Sequence, residues 1–193
     1  MLNKKFVNNT IILASKSPRR HRILKDLGLD FVVKTKEIDE IYPLYLHGGE
    51  ITDYLAKLKA SAFYDELKEN DILITADTIV RFNGKIIEKP KDSKEAKEML
   101  AALSGYVHEV ITSICITSVQ KQVVFHDYTD VHFKKLSKEE IDYYVDNYKP
   151  FDKAGAYGIQ EWLGYIAVTK VKGSYFNVMG FPVHKFYKEM IKF

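Results

Sequence analysis

Ile11-Ile12-Leu13-Ala14-Ser15-Lys16-Ser17-Pro18-Arg19-Arg20 is the stretch from which the rest of the chain is read. Its short apolar run suits a buried strand, and the small polar residues that follow break it. Ser17 is a good helix N-cap, and Pro18 suits the first helical position because its missing N–H would have no partner there. The following His21-Arg22-Ile23-Leu24-Lys25-Asp26-Leu27-Gly28 places Ile23, Leu24 and Leu27 on one face and ends at a glycine suited to C′. The chain thus passes from strand into helix, and two serines, a lysine and two arginines crowd the junction. A helix N-terminus attracts anions through its free N–H groups and dipole, and guanidinium forks add bidentate phosphate contacts. A solvated basic first turn is the plainer reading. Cations at this end oppose the dipole, however, which favours a compensating anion such as phosphate.

The composition bounds what such an anion site can serve. With 193 residues the chain is long enough for a substantial core, as one domain or one domain with two lobes, and residues 1–193 are read as a single domain. A hydrophobic fraction of 46% beside 28% charged residues is ordinary for a soluble globular protein. A net charge of +3 and a pI near 8.7 suit an anionic small-molecule substrate. They fall short of the concentrated basic face that nucleic acid requires. The single cysteine, Cys115, lies in the apolar run Ile114-Cys115-Ile116 and reads as a buried, inert thiol. One cysteine excludes an intrachain disulfide framework, and no run approaches a membrane span, so a cytoplasmic protein without a membrane partner is expected.

Further along, Asp30 to Lys34 reads as a short strand and residues 35–49 as a loop, acidic at Glu37, Asp39 and Glu40. Helical spacing runs from Glu50 to Glu69. Asp71 to Phe82 is a strand-rich apolar run with one acid, Asp77, in its middle. A carboxylate flanked by Ala76 and Ile79 is costly unless hydrogen-bonded, paired or metal-bound. Asn83-Gly84 signals a hairpin leading to Lys85-Ile86-Ile87-Glu88-Lys89-Pro90. Asp92 or Ser93 caps a helix to about Leu103, and Val107 to Val119 and Gln122 to Lys134 are β-rich. Ser137-Lys138-Glu139-Glu140 is a capping box opening a helix to about Tyr148. Pro150 to Gln160 is a two-glycine loop of the kind that brings backbone close to a ligand. Gly164 to Val171 reads as a strand, Gly173 to Pro182 as a glycine-bounded turn, and an amphipathic helix closes the chain. The six histidines fit no ligand spacing on one helix, and no HExxH, CxxC, GxSxG or Walker pattern occurs.

The unusual positions together are basic groups at a helix start, an acidic loop, a mid-strand carboxylate and lysines on separate elements. Phosphoryl and nucleotidyl chemistry needs this inventory: cations for a polyphosphate, carboxylates for Mg²⁺, and a base that orients or deprotonates water. The pattern alone does not name the bond cleaved.

Beyond the pattern, the sequence resembles the Maf family of nucleoside triphosphate pyrophosphatases. The resemblance is carried by LASKSPRR (13–20), Ile38-Asp39-Glu40, LAKLKA (55–60), ADTIV (76–80) and EKP (88–90). It continues in LSG (103–105) with His108, KAGAYGIQ (153–160) and GSYFNVMGFP (173–182), so it spans nearly the whole chain. It implies an α/β fold: a central twisted mixed β-sheet flanked by helices, with two lobes and an active-site cleft between them. It also implies hydrolysis of a nucleoside triphosphate to the monophosphate and pyrophosphate with a divalent metal cation, Mg²⁺ or Mn²⁺, and a homodimer. Position by position, Asp77 matches the family's proton acceptor and Glu40 its acidic-loop carboxylate, and the two would hold the metal. Ser15 and Arg20 match phosphate-binding positions, and Lys59 and Lys89 the lysines that neutralise the phosphates. The trio Arg19, Thr78 and Gln160 resembles the branch acting on dTTP and UTP, where amide and guanidinium donors suit the carbonyl edges of a pyrimidine. The branch acting on 7-methyl-GTP typically has Trp and Glu in place of Arg19 and Gln160. A non-catalytic nucleotide-binding regulator of cell division is the alternative from another class. Departures from the pattern are a short extension before Thr10, Phe181 where Leu is usual, and Glu161-Trp162 where small residues are common.

Overall fold

The three apolar residues Ile11, Ile12 and Leu13 are buried, and they form a strand as expected. In the computed structural model, which describes residues 2–193, the first half of the chain runs α1 (Leu2–Lys5), β1 (Thr10–Leu13), α2 (Pro18–Asp26), β2 (Val32–Val33), α3 (Gly49–Ser61), β3 (Asp71–Phe82), β4 (Lys85–Ile87) and α4 (Ser93–Leu103). The second half follows with β5 (Val107–Thr117), β6 (Gln122–Phe133), α5 (Lys138–Tyr148), α6 (Trp162–Ala167), β7 (Val168–Lys172), α7 (Tyr175–Val178) and α8 (Val183–Lys192). The strands form one mixed sheet in the order β2-β1-β3-β5-β6-β7, with β4 paired to β3 off that path. Strand β1 runs parallel to β2 and β3, in register Ile12↔Val32 and Ile12↔Leu73, while the β3–β4 and β6–β7 pairs are antiparallel. This is the mixed sheet with flanking helices that the sequence led us to expect.

The chain falls into two compact units. The first comprises residues up to Asp77 together with Thr112–Asp127 and Gly180–Phe193; the second comprises Thr78–Ile111 and Tyr128–Met179. Within the first, Ile12, Ala56, Ala60, Phe63, Leu73 and Cys115 form a buried cluster. Ala56 and Ala60 lie one turn apart on α3, and their small side chains let the helix approach the sheet closely enough for Thr75 Oγ1 to donate to the Ala56 carbonyl at 2.7 Å. Burial raises the pKa of the Cys115 thiol, in keeping with an inert cysteine.

The second unit packs around Leu100, Leu103, Val110, Val131, Tyr144 and Leu163. The Asn83-Gly84 hairpin has positive φ at both turn residues, 51° and 76°, the requirement of a type I′ turn. Two expectations here need correction. Gly164 to Val171 is not one strand: α6 occupies Trp162–Ala167 and only Val168–Lys172 is extended. A short apolar run does not distinguish the two states by periodicity; within the helix Gly164 packs so closely that a Cβ would stand 2.0 Å from the Ile159 carbonyl oxygen. The segment read as a turn, Gly173 to Pro182, contains the single helical turn α7, capped by Ser174. In the first unit, the helix expected to reach Glu69 ends at Ser61 and gives way to a 3₁₀ turn at Tyr64–Glu66.

Candidate active site

Asp77 is 6% exposed on β3, so its charge requires a partner. The neighbouring sequence offers none. Its partner comes from α3: Lys59 Nζ lies 2.6 Å from Asp77 Oδ1 and 2.9 Å from Glu40 Oε2. Glu40, in the acidic loop, remains 44% exposed on its side chain. Three residues singled out separately in the sequence thus meet at one ammonium group, and two carboxylates share one cation.

Ser15 and Arg20 meet in the same unit. Ser15 is buried, and its Oγ accepts from the Ser17 amide at 3.2 Å and from Arg20 Nη1 at 3.3 Å. Arg20 also donates from Nη1 to the Ala76 carbonyl and from Nε to the Gly180 carbonyl, both at 2.9 Å. These contacts tie the guanidinium to the residue preceding Asp77. Burial lowers the Arg20 pKa to about 10, against the attraction of Asp77 and Glu40, so it stays cationic at neutral pH. His21 Nε2 lies 2.6 Å from the Ser15 carbonyl and fastens the loop from the other side. The serine at the helix start behaves differently from expectation. Ser17 occupies the N-cap position, yet its side chain caps nothing, and its buried Oγ has no hydrogen-bond partner. Arg19 is half-buried on α2.

The remaining candidates belong to the second unit. Thr78 follows Asp77 directly on β3, Lys89 is exposed after β4, and Gln160 is half-buried at the end of the two-glycine loop. That loop bends through Gly155 at φ 70°, whose amide donates to the Glu88 carbonyl at 3.1 Å. A Cβ on Gly155 would lie 3.0 Å from Val80 Cγ2. Lys153, although cationic, is buried, and it pairs with Asp152 at 2.6 Å and with Glu161 at 3.2 Å. Glu161 also accepts from the Tyr144 hydroxyl. Trp162 packs on the Tyr143 ring, with centroids 4.7 Å apart. The partners of His21 and Lys153 are not legible in the sequence, because nothing in local spacing separates a buried or paired lysine or histidine from a surface one.

Among the described residues no group of three or more His, Cys, Asp and Glu side chains is placed to hold a metal ion unaided. The pair Asp77 and Glu40 nevertheless fits a divalent ion that binds alongside phosphate. Both carboxylates already converge on one cation, and Mg²⁺ characteristically takes one or two carboxylates with substrate phosphates and water. No described helix is long and apolar enough to cross a membrane.

Comparison with known proteins adds to this geometry. The family described as Maf-like protein matches residues 10–193. The dTTP/UTP pyrophosphatase of Flavobacterium psychrophilum is 56% identical, over 97% of this chain and 96% of its own length. That of Flavobacterium johnsoniae is 55% identical, over 97% of each. Among solved structures, the Staphylococcus aureus Ham1 protein is similar at a TM-score of 0.49 and 16% identity, covering 65% of this chain and 72% of that one.

Proposed function

Because the chain belongs to the family of Maf-like proteins, we propose that it is a nucleoside triphosphate pyrophosphatase converting dTTP and UTP to the monophosphate and pyrophosphate. The observation that carries the reading is the clasp of Lys59 on Asp77 and Glu40 in the field of the half-buried Arg20. It combines a base, a second acid and fixed cations, which hydrolysis of a phosphoanhydride demands. The relatives named dTTP/UTP pyrophosphatase, similar over nearly their full length, support the choice of substrate.

In this reading Asp77 accepts a proton from the water whose oxygen attacks the α-phosphorus. The bond from the α-phosphorus to the α,β-bridging oxygen breaks, pyrophosphate leaves, and Asp77 returns its proton to solvent. Ser15 and Arg20 grip phosphate oxygens, and Lys59 and Lys89 neutralise the developing charge. Glu40 orients the attacking water. Asp77 and Glu40 would hold a divalent ion, Mg²⁺ or Mn²⁺, which when bound supplies further charge neutralisation and a more acidic water. Arg19, Thr78 and Gln160 select the base. The same reading includes a homodimer in the cytoplasm, for which sedimentation at micromolar concentration is the check.

The test is pyrophosphate release from a panel of triphosphates with Mg²⁺. Release from dTTP and UTP well above 7-methyl-GTP is the expected result. Release from 7-methyl-GTP alone would overturn the substrate assignment. Tight dTTP binding with no release from any triphosphate would replace the enzyme by a nucleotide sensor.

A further inference from the structure

Glu161 stands next to Gln160 in the chain, and its carboxylate is held on several sides. Lys153 Nζ, on a buried side chain, is 3.2 Å from Oε1. The Tyr144 hydroxyl donates to Oε2, and the same hydroxyl accepts the Gly158 amide at 3.0 Å. Gln160 Nε2 is directed at Glu161 Oε1 across a long 3.5 Å contact. Gly158 makes the space for this pairing: a Cβ there would stand 2.7 Å from Gln160 Nε2 and 2.8 Å from Glu161 Cδ. Gln160 Oε1, by contrast, is buried and meets no donor.

The chemistry of the two groups allows one arrangement. An ionised carboxylate only accepts hydrogen bonds, so an amide set against it must turn its NH₂ towards it. The amide oxygen then faces away. Lys153 and Tyr144 both donate to the carboxylate and fix it as an acceptor, which removes the alternative flip. A buried amide oxygen without a donor is unfavourable by itself and calls for a donor from a ligand.

We infer that Glu161 is a positioning residue, fixing the Gln160 carboxamide so that Oε1 accepts the ring N3–H of a bound uracil or thymine. The inference rests on the proposed pyrophosphatase reading and deepens it by naming the atom read. Along the edge O2, N3, O4 of uracil and thymine, N3–H is the sole donor. Cytosine has a bare acceptor at N3, which would face Gln160 Oε1 unfavourably. N3-methylation replaces the donor by a methyl group.

The experiment measures kcat/KM with Mg²⁺ for UTP, CTP and 3-methyluridine triphosphate, in the wild type and in Glu161→Gln. The wild type should prefer UTP over both others by about tenfold or more, the range set by a buried unpaired acceptor. In Glu161→Gln a neutral amide can meet either face of the Gln160 amide, so the UTP:CTP ratio should fall by about tenfold, chiefly through KM. A merely structural role for Glu161 would lower turnover of both substrates together, and an unchanged ratio overturns the inference while leaving the pyrophosphatase reading intact. Should Glu161→Gln fail to fold, the wild type still decides: 3-methyluridine triphosphate turned over as well as UTP overturns it. A wild type that releases pyrophosphate from neither UTP nor dTTP sinks the pyrophosphatase reading and the inference with it.

Discussion

Lys59 settles how Asp77 survives inside a strand. The acid is nearly sealed from water, and a charge so placed costs several kcal/mol unless compensated. The compensating ammonium is shared with Glu40. Replacing Asp77 by Asn keeps the shape and removes the proposed proton acceptor. Its kcat for UTP should fall about a hundredfold or more with the melting temperature nearly unchanged, and survival of full activity would displace Asp77 from its role. Lys59→Met acts differently, since it removes the ammonium that the two carboxylates share. Urea unfolding should show a loss of about 2 kcal/mol, discounted from the fully buried case because Glu40 is partly solvated. Millimolar Mg²⁺ should raise the melting temperature of that variant more than of the wild type, where Lys59 already supplies the charge. Equal shifts in the two proteins would mean that Asp77 and Glu40 do not hold the ion. Asp77 was legible in the sequence because an acid amid apolar residues is conspicuous. Its partner was not, because Lys59 differs from the exposed Lys57 only in where α3 points it.

At the scale of elements, the caps separate what sequence pattern can and cannot specify. Ser137 and Glu140 form the reciprocal capping box that their spacing announced, and Asp92 Oδ1 accepts the Glu95 amide at 2.8 Å. Ser17 carries an equally good signature before Pro18, yet its hydroxyl does no capping; Ser15 Oγ, two residues earlier, accepts from the Ser17 amide and from the Arg20 guanidinium. The start of α2 therefore departs from local preference. The consequence is measurable by urea unfolding. Ser137→Ala should lose about 1 kcal/mol with its cap. Ser17→Ala should change stability by less than about 0.5 kcal/mol in either direction, since the buried oxygen it removes has no partner. A loss at Ser17 equal to that at Ser137 would show a cap that forms in solution. The α6 segment teaches the complementary lesson: Leu163 and Ala167 have helical spacing, but a helix of 6 residues is too short to outvote a strand-like composition.

For the molecule as a whole, composition could not reveal the two units, because three of their four boundaries, Asp77/Thr78, Ile111/Thr112 and Asp127/Tyr128, fall inside β3, β5 and β6. No linker marks those three. Global stability nevertheless has a readable pH sensor in the second unit. His108 is buried between the rings of Phe133 and Tyr157, with Nε2 2.7 Å from the Tyr157 hydroxyl. Burial, aided slightly by His132, lowers its pKa from 6.5 to about 4. The folded protein therefore keeps the imidazole neutral where the unfolded chain would protonate it. This contribution is fully present above about pH 6.5 and is lost as pH falls through about 4, reaching on the order of 3 kcal/mol. Carboxylates titrate in the same range, so the wild-type curve alone does not isolate the histidine. A His108→Phe variant does. It should be less stable than wild type at neutral pH, because the Tyr157 hydroxyl loses its partner. That deficit should shrink by up to about 3 kcal/mol as urea unfolding is repeated down to about pH 4. A deficit that stays constant with pH would mean that His108 is protonated equally in both states, and that the acid sensitivity of the fold lies elsewhere.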